Sequence, residues 1–421
     1  MAQLISAPRG TKDIFGIESG KWQFIEKKLS DVCERFGYSE VRIPTFEHTE
    51  LFARGVGDTT DVVGKEMYTF IDKGERSITL RPEGTSGVAR SFLQNGVLNE
   101  ALPVRAYYIL SCFRYEKPQA GRYREFHQLG IEMFGAPTPD ADCEVIRLAA
   151  TALKELGIKH VRLEINSIGC KECRPKYHAA LTDYFKRRES DLCDTCRDRL
   201  TRNPLRILDC KSPVCSEIAK DAPYTLDYLC DECKAHFEAL KALLDEAGIE
   251  YTINPRIVRG LDYYSKTVFE FVHEAAGAQG TVCGGGRYDG LVEQLGGSPM
   301  AGIGFGMGLE RLLDVAQSEG VVFPEPRVPE LFICSADEAA RKVARSLVFG
   351  LQDMGIFAQY DLNERSLKAQ LKFANKTGAK YSLVLGETEL SSGKGTLKDM
   401  RGASSFDVDI DAAQLAAALS K

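Results

Sequence analysis

Between Phe113 and Glu132 the chain reads FRYEKPQAGRYREFHQLGIE, which gathers residue types that bind anions and small polar molecules. Lys117, Arg122 and Arg124 crowd one short loop. A guanidinium offers phosphate a planar fork, and an ammonium a point charge. Beyond the loop, polar and apolar residues alternate. Successive side chains on a β-strand point to opposite faces, so Gln128, Gly130 and Glu132 share one face while Leu129, Ile131 and Met133 share the other. A glycine between polar strand residues marks a place where a ligand or another backbone comes close. Two strands joined by a basic loop thus carry either a small polar pocket beside an anion-binding rim or an ordinary exposed hairpin.

Glycine is spaced unusually in two further places. Gly302, Gly304, Gly306 and Gly308 lack the spacing of a dinucleotide loop, and no GxxxxGK[ST] stretch occurs anywhere. They fit a strand whose missing side chains leave room for a flat ligand, leading into a helix that contains Arg311. Gly284-Gly-Gly-Arg287 repeats the theme with one cation. The six histidines form no HExxH or comparable cluster, which argues against a histidine-based zinc enzyme.

Cysteine is concentrated too. Of thirteen, eight lie between Cys170 and Cys233: Cys170 and Cys173, Cys193 and Cys196, Cys230 and Cys233 as CxxC pairs, with Cys210 and Cys215 as a looser fourth. A CxxC pair chelates one metal ion, and two pairs complete a tetrahedron. Eight thiolates suit two structural zinc sites and four suit one; reduced cysteines packed as small hydrophobes are the alternative. The same region carries Lys186, Arg187, Arg188, Arg197, Arg199, Arg202 and Arg206, either a nucleic-acid grip or a solvated face.

The elements that position these residues follow from periodicity. The chain has 421 residues, 44% hydrophobic and 27% charged, as in soluble globular proteins, and its net charge of −6 leaves a nucleic-acid partner to local basic patches. No run of about 18 apolar residues and no signal-peptide core is present, so the cytoplasm is expected and a membrane is not. Trp22, Ile25, Leu29, Val32 and Phe36 recur at helical spacing over 21–36, and SEVRIP reads as a strand ending at Pro44. Two strands surround an Asp-Lys-Gly-Glu turn in 67–81. Helices are expected at 86–95, 142–156 and 306–318, with strands at 161–166, within 251–272 and at 300–305. Hairpins and long antiparallel runs predict an antiparallel sheet flanked by helices, an α+β fold. After the proline-rich segment 320–330, strands and helices alternate (LFICS, 337–355, FAQYD, 366–377, YSLVLG), which predicts a separate domain with a mostly parallel sheet. Lys368, Lys372, Lys376 and Lys380 form a loose basic stripe there.

Taken together these segments resemble the histidine–tRNA ligases, class II aminoacyl-tRNA synthetases. Helix 21–36 with VRIP looks like the first class II motif, which builds the dimer interface. The 113–132 stretch looks like the second, and GIGFGMGLERL from Gly302 the third. VRGLDYYSKTVFE from Val258 and GGGRYDGL from Gly284 resemble stretches peculiar to the histidine enzymes; LRPEGT from Leu80 and RGTKDI from Arg9 also match. The cysteine-rich insertion departs from the better-known members. The resemblance implies a catalytic domain over 1–325 that contains an insertion at 168–245, and an anticodon-binding α/β domain at 330–421.

The resemblance also implies ATP as substrate, Mg²⁺, L-histidine, histidine tRNA and a homodimer. Arg114, Glu116 and Arg311 would bind ATP, and Arg259, Arg114 and Gln128 would serve adenylate formation. Glu83, Thr85 and Gln128 would hold the α-ammonium group, with Glu132, Tyr263 and Tyr264 around the imidazole. Lys117, Gln119 and Arg122 would meet the tRNA acceptor end. Tyr107 is a candidate wall residue or a core residue. Two other readings compete: a catalytically silent paralogue regulating a phosphoribosyltransferase, which would lack the Arg259 segment and the C-terminal domain, and a non-enzymatic zinc-ribbon nucleic-acid binder.

Overall fold

The alternation around Gly130 becomes the strand Glu125–Phe134, with Leu129, Ile131 and Met133 fully buried on its apolar face. They pack against Trp22, Ile25 and Leu29 of the helix Ile17–Arg35 and Val145, Ile146 and Ala149 of the helix Pro139–Glu155. The structure is a computed structural model and describes residues 4–57, 62–118, 121–208, 210, 212–257, 259, 261–274, 280–402 and 404–420. Two compact units, Met1–Pro324 and Glu325–Lys421, make up the chain.

An eight-stranded sheet organises the first unit, in the order Ser39–Glu40, Val104–Phe113, Glu125–Phe134, Gly302–Gly308, Thr281–Arg287, Ser265–Val272, Arg162–Ser167, Thr252–Ile253. Every pairing from Val104–Phe113 across to Arg162–Ser167 is antiparallel. The two outermost pairings are parallel. Parallel neighbours need long crossover connections, and long stretches of chain do separate both pairs. The SEVRIP strand shrinks to Ser39–Glu40, because Pro44 has no N–H and the Ile43 carbonyl accepts Arg81 Nη1 at 2.8 Å instead of a strand partner. Beside the large sheet, a small one formed by Phe46–His48, Ser77–Leu80 and Thr69–Ile71 delivers the chain into the helix Thr85–Gln94.

Between Ser167 and Thr252 lies the helical insertion, with helices Cys173–Lys186, Asp194–Arg202, Pro213–Ala219 and Asp231–Glu246. Tyr177, Leu181, Phe185, Leu200 and Ile207 anchor a small core of its own. The helix Asp231–Glu246 instead sends Phe237, Leu240 and Leu244 into the main core.

The second unit has a five-stranded sheet in the order Ala358–Tyr360, Leu331–Ser335, Tyr381–Leu385, Lys394–Asp399, Ser405–Asp409. The first three strands are parallel, and Leu331–Ser335, at the centre of that trio, is buried throughout, as its apolar run requires. The last two pairings are antiparallel, so the sheet is mixed rather than mostly parallel. Strand Lys394–Asp399 (KGTLKD) buries only Gly395 and Leu397, and a strand wetted on one face lacks the apolar signal of its neighbours.

Candidate functional site

Three rows of residues cross the central sheet. Gln128 faces Gly308; Gly130 faces Gly306, which faces Gly284, which faces Glu270; Glu132 faces Gly304, which faces Gly286. The glycines hollow the floor. A Cβ on Gly306 would strike the Gln128 amide, one on Gly304 the Glu132 carboxylate, and one on Gly284 the Arg259 guanidinium. Space, not backbone freedom, selects glycine at these three positions. The object struck at Gly306 is the end of a flexible side chain. Gly306→Ala is therefore expected to fold normally but to displace Gln128 and to cut the amino-acid activation that the family resemblance implies by about 10- to 100-fold. Pyrophosphate exchange beside a thermal melt checks this.

Over this floor opens a cavity of about 250 Å³ walled by Arg114, Gln128, Arg259, Glu310 and Arg311. Guanidinium groups from positions 114, 259 and 311 thus meet around one space. Arg114 follows the strand Val104–Phe113; its Nε donates to the Tyr123 carbonyl at 3.0 Å and its guanidinium lies 4.4 Å over the Phe126 ring. Burial, with Arg122 and Arg311 as like charges, lowers its pKa to about 10. Arg311, in the first turn of the helix Leu309–Ser318, donates to the Thr281 carbonyl, and burial together with Arg122 lowers its pKa as well. Crowded cations of this kind are relieved by a polyanion. Arg259 is held by Glu270 and stacks 5.5 Å from the Tyr264 ring. Burial opposes its charge, but Tyr264 and Glu270 outweigh burial and raise its pKa. Its Nε is buried and has no partner among the described residues.

The basic rim is partly neutralised. Arg122 forms a two-pronged pair with Glu116, and Arg124 donates to the Glu116 carbonyl at 3.1 Å while stacking 4.2 Å over Tyr115. Gly10, at φ +91°, packs against the Arg124 stem, and its carbonyl accepts the Arg124 N–H at 2.8 Å. Lys117 is exposed; Gln119 lies outside the described residues.

Deeper along the same face, Glu132 is 1% exposed and receives three hydroxyl donors. Thr85 Oγ1 donates at 2.7 Å, Tyr108 Oη at 3.1 Å, and Tyr288 Oη reaches the second oxygen. Burial pushes its pKa up to about 8 against these donors. Glu83, also buried, accepts the Ser86 N–H at 3.0 Å, and burial raises its pKa. Tyr263 connects this carboxylate nest to the arginines, with its ring 5.6 Å from Tyr288 and 4.7 Å from Tyr264.

Tyr108, Tyr288, Glu270 and Thr281 join the site without having been singled out beforehand. Tyr288 stood inside GGGRYDGL, and Tyr108 was recoverable from alternation once its pairing with Gly130 was known. Tyr107 corrects the other way: it faces the core and donates to Glu34 of the helix Ile17–Arg35 at 3.2 Å, so it does not wall the arginine-lined cavity.

An antiparallel sheet with a strand-end arginine and a helix arginine over a glycine-lined floor defines the class as that of the class II aminoacyl-tRNA synthetases. A family model described as "Histidyl-tRNA synthetase" matches residues 10–312, and one described as "Anticodon binding domain" matches 330–420. The histidine–tRNA ligase of Acetivibrio thermocellus is 55% identical over 97% of this chain and 98% of its own length. That of Caldanaerobacter subterraneus subsp. tengcongensis is 52% identical over the same shares. The crystal structure of apo histidyl-tRNA synthetase from S. aureus superposes with a TM-score of 0.84 at 38% identity, covering 99% of this chain and 100% of that one. The chain belongs to the histidyl-tRNA synthetase family.

Proposed function

We infer that this chain attaches L-histidine to the 3′ end of histidine tRNA in two steps. A carboxylate oxygen of histidine attacks the α-phosphorus of ATP and expels pyrophosphate; the terminal ribose hydroxyl of the tRNA then takes the histidyl group and AMP leaves. Positioning and charge stabilisation dominate phosphoryl chemistry, and the observation that supports this reading is the meeting of Arg114, Arg259 and Arg311 beside the buried Glu132 nest. Arg114 and Arg259 take the α-phosphate, Arg311 the γ-phosphate, and Glu116 the adenosine side. Glu83, Thr85 and Gln128 hold the α-ammonium group, while Glu132, Tyr263 and Tyr264 hold the imidazole. Thr85 already donates to Glu132, so it links the two groups of residues.

Glu310 fits Mg²⁺. It lines the cavity, and the N–H and Nδ1 of His127 occupy only part of its carboxylate's lone pairs. The ion, when bound, neutralises charge on the outer phosphates. Zn²⁺ in the cysteine-rich insertion is structural and takes no part in the chemistry. Residues 1–325, with the insertion at 168–245, form the catalytic domain and 330–421 the anticodon-binding domain. Exposed Phe15, Ile17 and Phe46 near the first motif supply apolar surface for a homodimer. No helix among the described residues is long and apolar enough to cross a membrane, and the cytoplasm is the proposed compartment.

Pyrophosphate exchange tests the reading: it should require L-histidine, and histidine tRNA alone should be charged. Exchange with other amino acids, or none, overturns it.

For the tRNA, Lys117, Gln119 and Arg122 meet the acceptor end, and the lysine stripe meets the anticodon side. Lys368, Lys372, Lys376 and Lys380 are all exposed, opposite the buried Gln370 and Ala374 of the helix Leu367–Lys376. Changing Lys368 and Lys372 together to Gln is expected to weaken tRNA binding. The log–log salt dependence should flatten by about 0.7–0.9 per lost phosphate contact. Filter binding across a salt series checks it, and an unchanged slope counts against the stripe.

A further inference from the structure

We propose that the insertion holds two zinc ions, each caged by four cysteine thiolates, and that the ion at its base fixes the shape of the histidine pocket. The sulfurs of Cys170, Cys173, Cys230 and Cys233 all lie within 4.8 Å of one another, as do those of Cys193, Cys196, Cys210 and Cys215. Cys170 Sγ stands 3.7 Å from Cys173 Sγ and 3.8 Å from Cys230 Sγ; Cys193 Sγ stands 3.9 Å from Cys210 Sγ. A tetrahedron with metal–sulfur bonds of about 2.3 Å has edges of about 3.8 Å. Disulfides bring sulfurs to about 2.05 Å and join them in pairs, not fours, and all eight cysteines are free.

Backbone donors point at these sulfurs. The N–H of Cys230 reaches Cys173 Sγ at 3.1 Å and that of Cys193 reaches Cys215 Sγ at 3.3 Å; Glu172 and Ser212 donate to Cys170 and Cys210, each at 3.4 Å. Such donors disperse the net −2 charge of a four-thiolate zinc centre and orient its ligands. Each ion displaces four thiol protons to solvent as four Zn–S bonds form. Tetrahedral four-sulfur sites take zinc or iron, and zinc is the assignment for a helical insertion whose small core needs a staple rather than redox chemistry.

The two cages are nested. The outer pairs close the base, where the chain leaves the strand Arg162–Ser167 and re-enters through the helix Asp231–Glu246, while the inner four close the tip. Among the described residues, the base cage abuts the segment after Tyr263 and Tyr264. Ile168 N–H donates to the Lys266 carbonyl and Lys266 N–H to the Gly169 carbonyl, both at 2.8 Å. Arg174, next to Cys173, donates to the Tyr264 carbonyl, and Lys266 Nζ pairs with Glu232, next to Cys233, at 2.8 Å. From the tip side, Asn203 donates to Asp262 at 3.3 Å, ahead of the two tyrosines. An ion at the base thereby pins the backbone that carries Tyr264, and through it the stacking partner of Arg259.

The coupling rests on the reading of this pocket as the histidine site; the cages do not. Metal analysis of protein purified without chelator should give two zinc ions per chain, and Cys173→Ser and Cys210→Ser should each lose one. In calorimetric titration with L-histidine, Cys173→Ser should bind about tenfold more weakly, and Cys210→Ser within about twofold of the native chain. Native protein carrying no zinc, a single ion, iron or disulfides overturns the cages. Two zinc ions with equal histidine affinity in both variants overturns the coupling alone, and native protein that binds zinc but no histidine overturns the pocket reading instead. Should Cys173→Ser be insoluble, chelator titration of the native chain decides: histidine binding must fall as the first or second ion leaves, and binding that survives removal of both refutes the coupling.

Discussion

Arg259→His is expected to abolish histidyl-adenylate formation, lowering histidine-dependent pyrophosphate exchange by about 10³-fold or more, while the protein stays folded. The guanidinium is aimed by Glu270, flanked by Tyr264, and has open floor before it because Gly284 lacks a side chain. Its buried Nε is left for a ligand. Removing one preorganised donor from developing negative charge costs about 10²–10³-fold, and here a full positive charge goes with the donors. Imidazole is shorter, cannot offer a fork and is mostly neutral at the pH of the assay. The fold should tolerate the loss because Glu270 keeps a 2.7 Å hydrogen bond from Thr281, though breaking a half-buried ion pair lowers the melting temperature. Arg259→Lys separates the two effects. It restores a cation for Glu270 and hence the melting temperature, yet should remain about 10²-fold slow for want of the fork. Near-native exchange by the His variant would remove Arg259 from the chemistry.

How much of this site could be read from the chain depends on the distance over which each signal acts. The face shared by Gln128, Gly130 and Glu132 was legible because a strand has period two and these residues lie within five positions. The glycines at 302–308 and 284–286 were legible as empty space, but not as neighbours of that face. Their adjacency comes from a strand order that places 302–308 beside 125–134 and 281–287 beside that, and local periodicity carries no information about such order. Without the family resemblance, Arg114, Arg259 and Arg311 are three unrelated cations. Tyr107 and Tyr108 show the finest grain: one position of register decides which of two adjacent tyrosines meets Glu132, and the bond geometry of Tyr108 opposite Gly130 settles it. Cysteine spacing offered metal binding as one of two readings, but only the folded insertion sorts eight residues into one outer and one inner set. In the second unit, polar strands such as Lys394–Asp399 were silent for the opposite reason: half their side chains face water, and their composition resembles a loop.

Glu132→Gln is expected to make the protein more stable at neutral and alkaline pH while removing most of its affinity for histidine. The carboxyl is buried, and burial raises its pKa from an ordinary 4.5 to about 8. Below about pH 4.5 it is protonated in both the folded and the unfolded chain, and its contribution to stability is fully present. Above that the unfolded chain ionises while the folded one keeps its proton, so stability declines by up to about 1.4 kcal/mol per pH unit until the folded group titrates near pH 8. Glutamine never ionises, and this decline disappears; thermal melts of the two proteins should diverge between pH 5 and 8, with the variant higher. Its amide can still accept from Thr85 and Tyr108 and donate to the Tyr288 hydroxyl, so packing survives. What the amide cannot supply is a charge for the imidazole. Losing a buried charged partner costs about 2–4 kcal/mol, roughly 30- to 1,000-fold in Kd. The native protein should also release a proton on binding histidine at pH 7, because an imidazole N–H draws Glu132 toward its ionised form. Calorimetry in buffers of different ionisation heat reads that proton directly, and an unchanged Kd in the variant, or uptake instead of release in the native protein, would place the imidazole elsewhere.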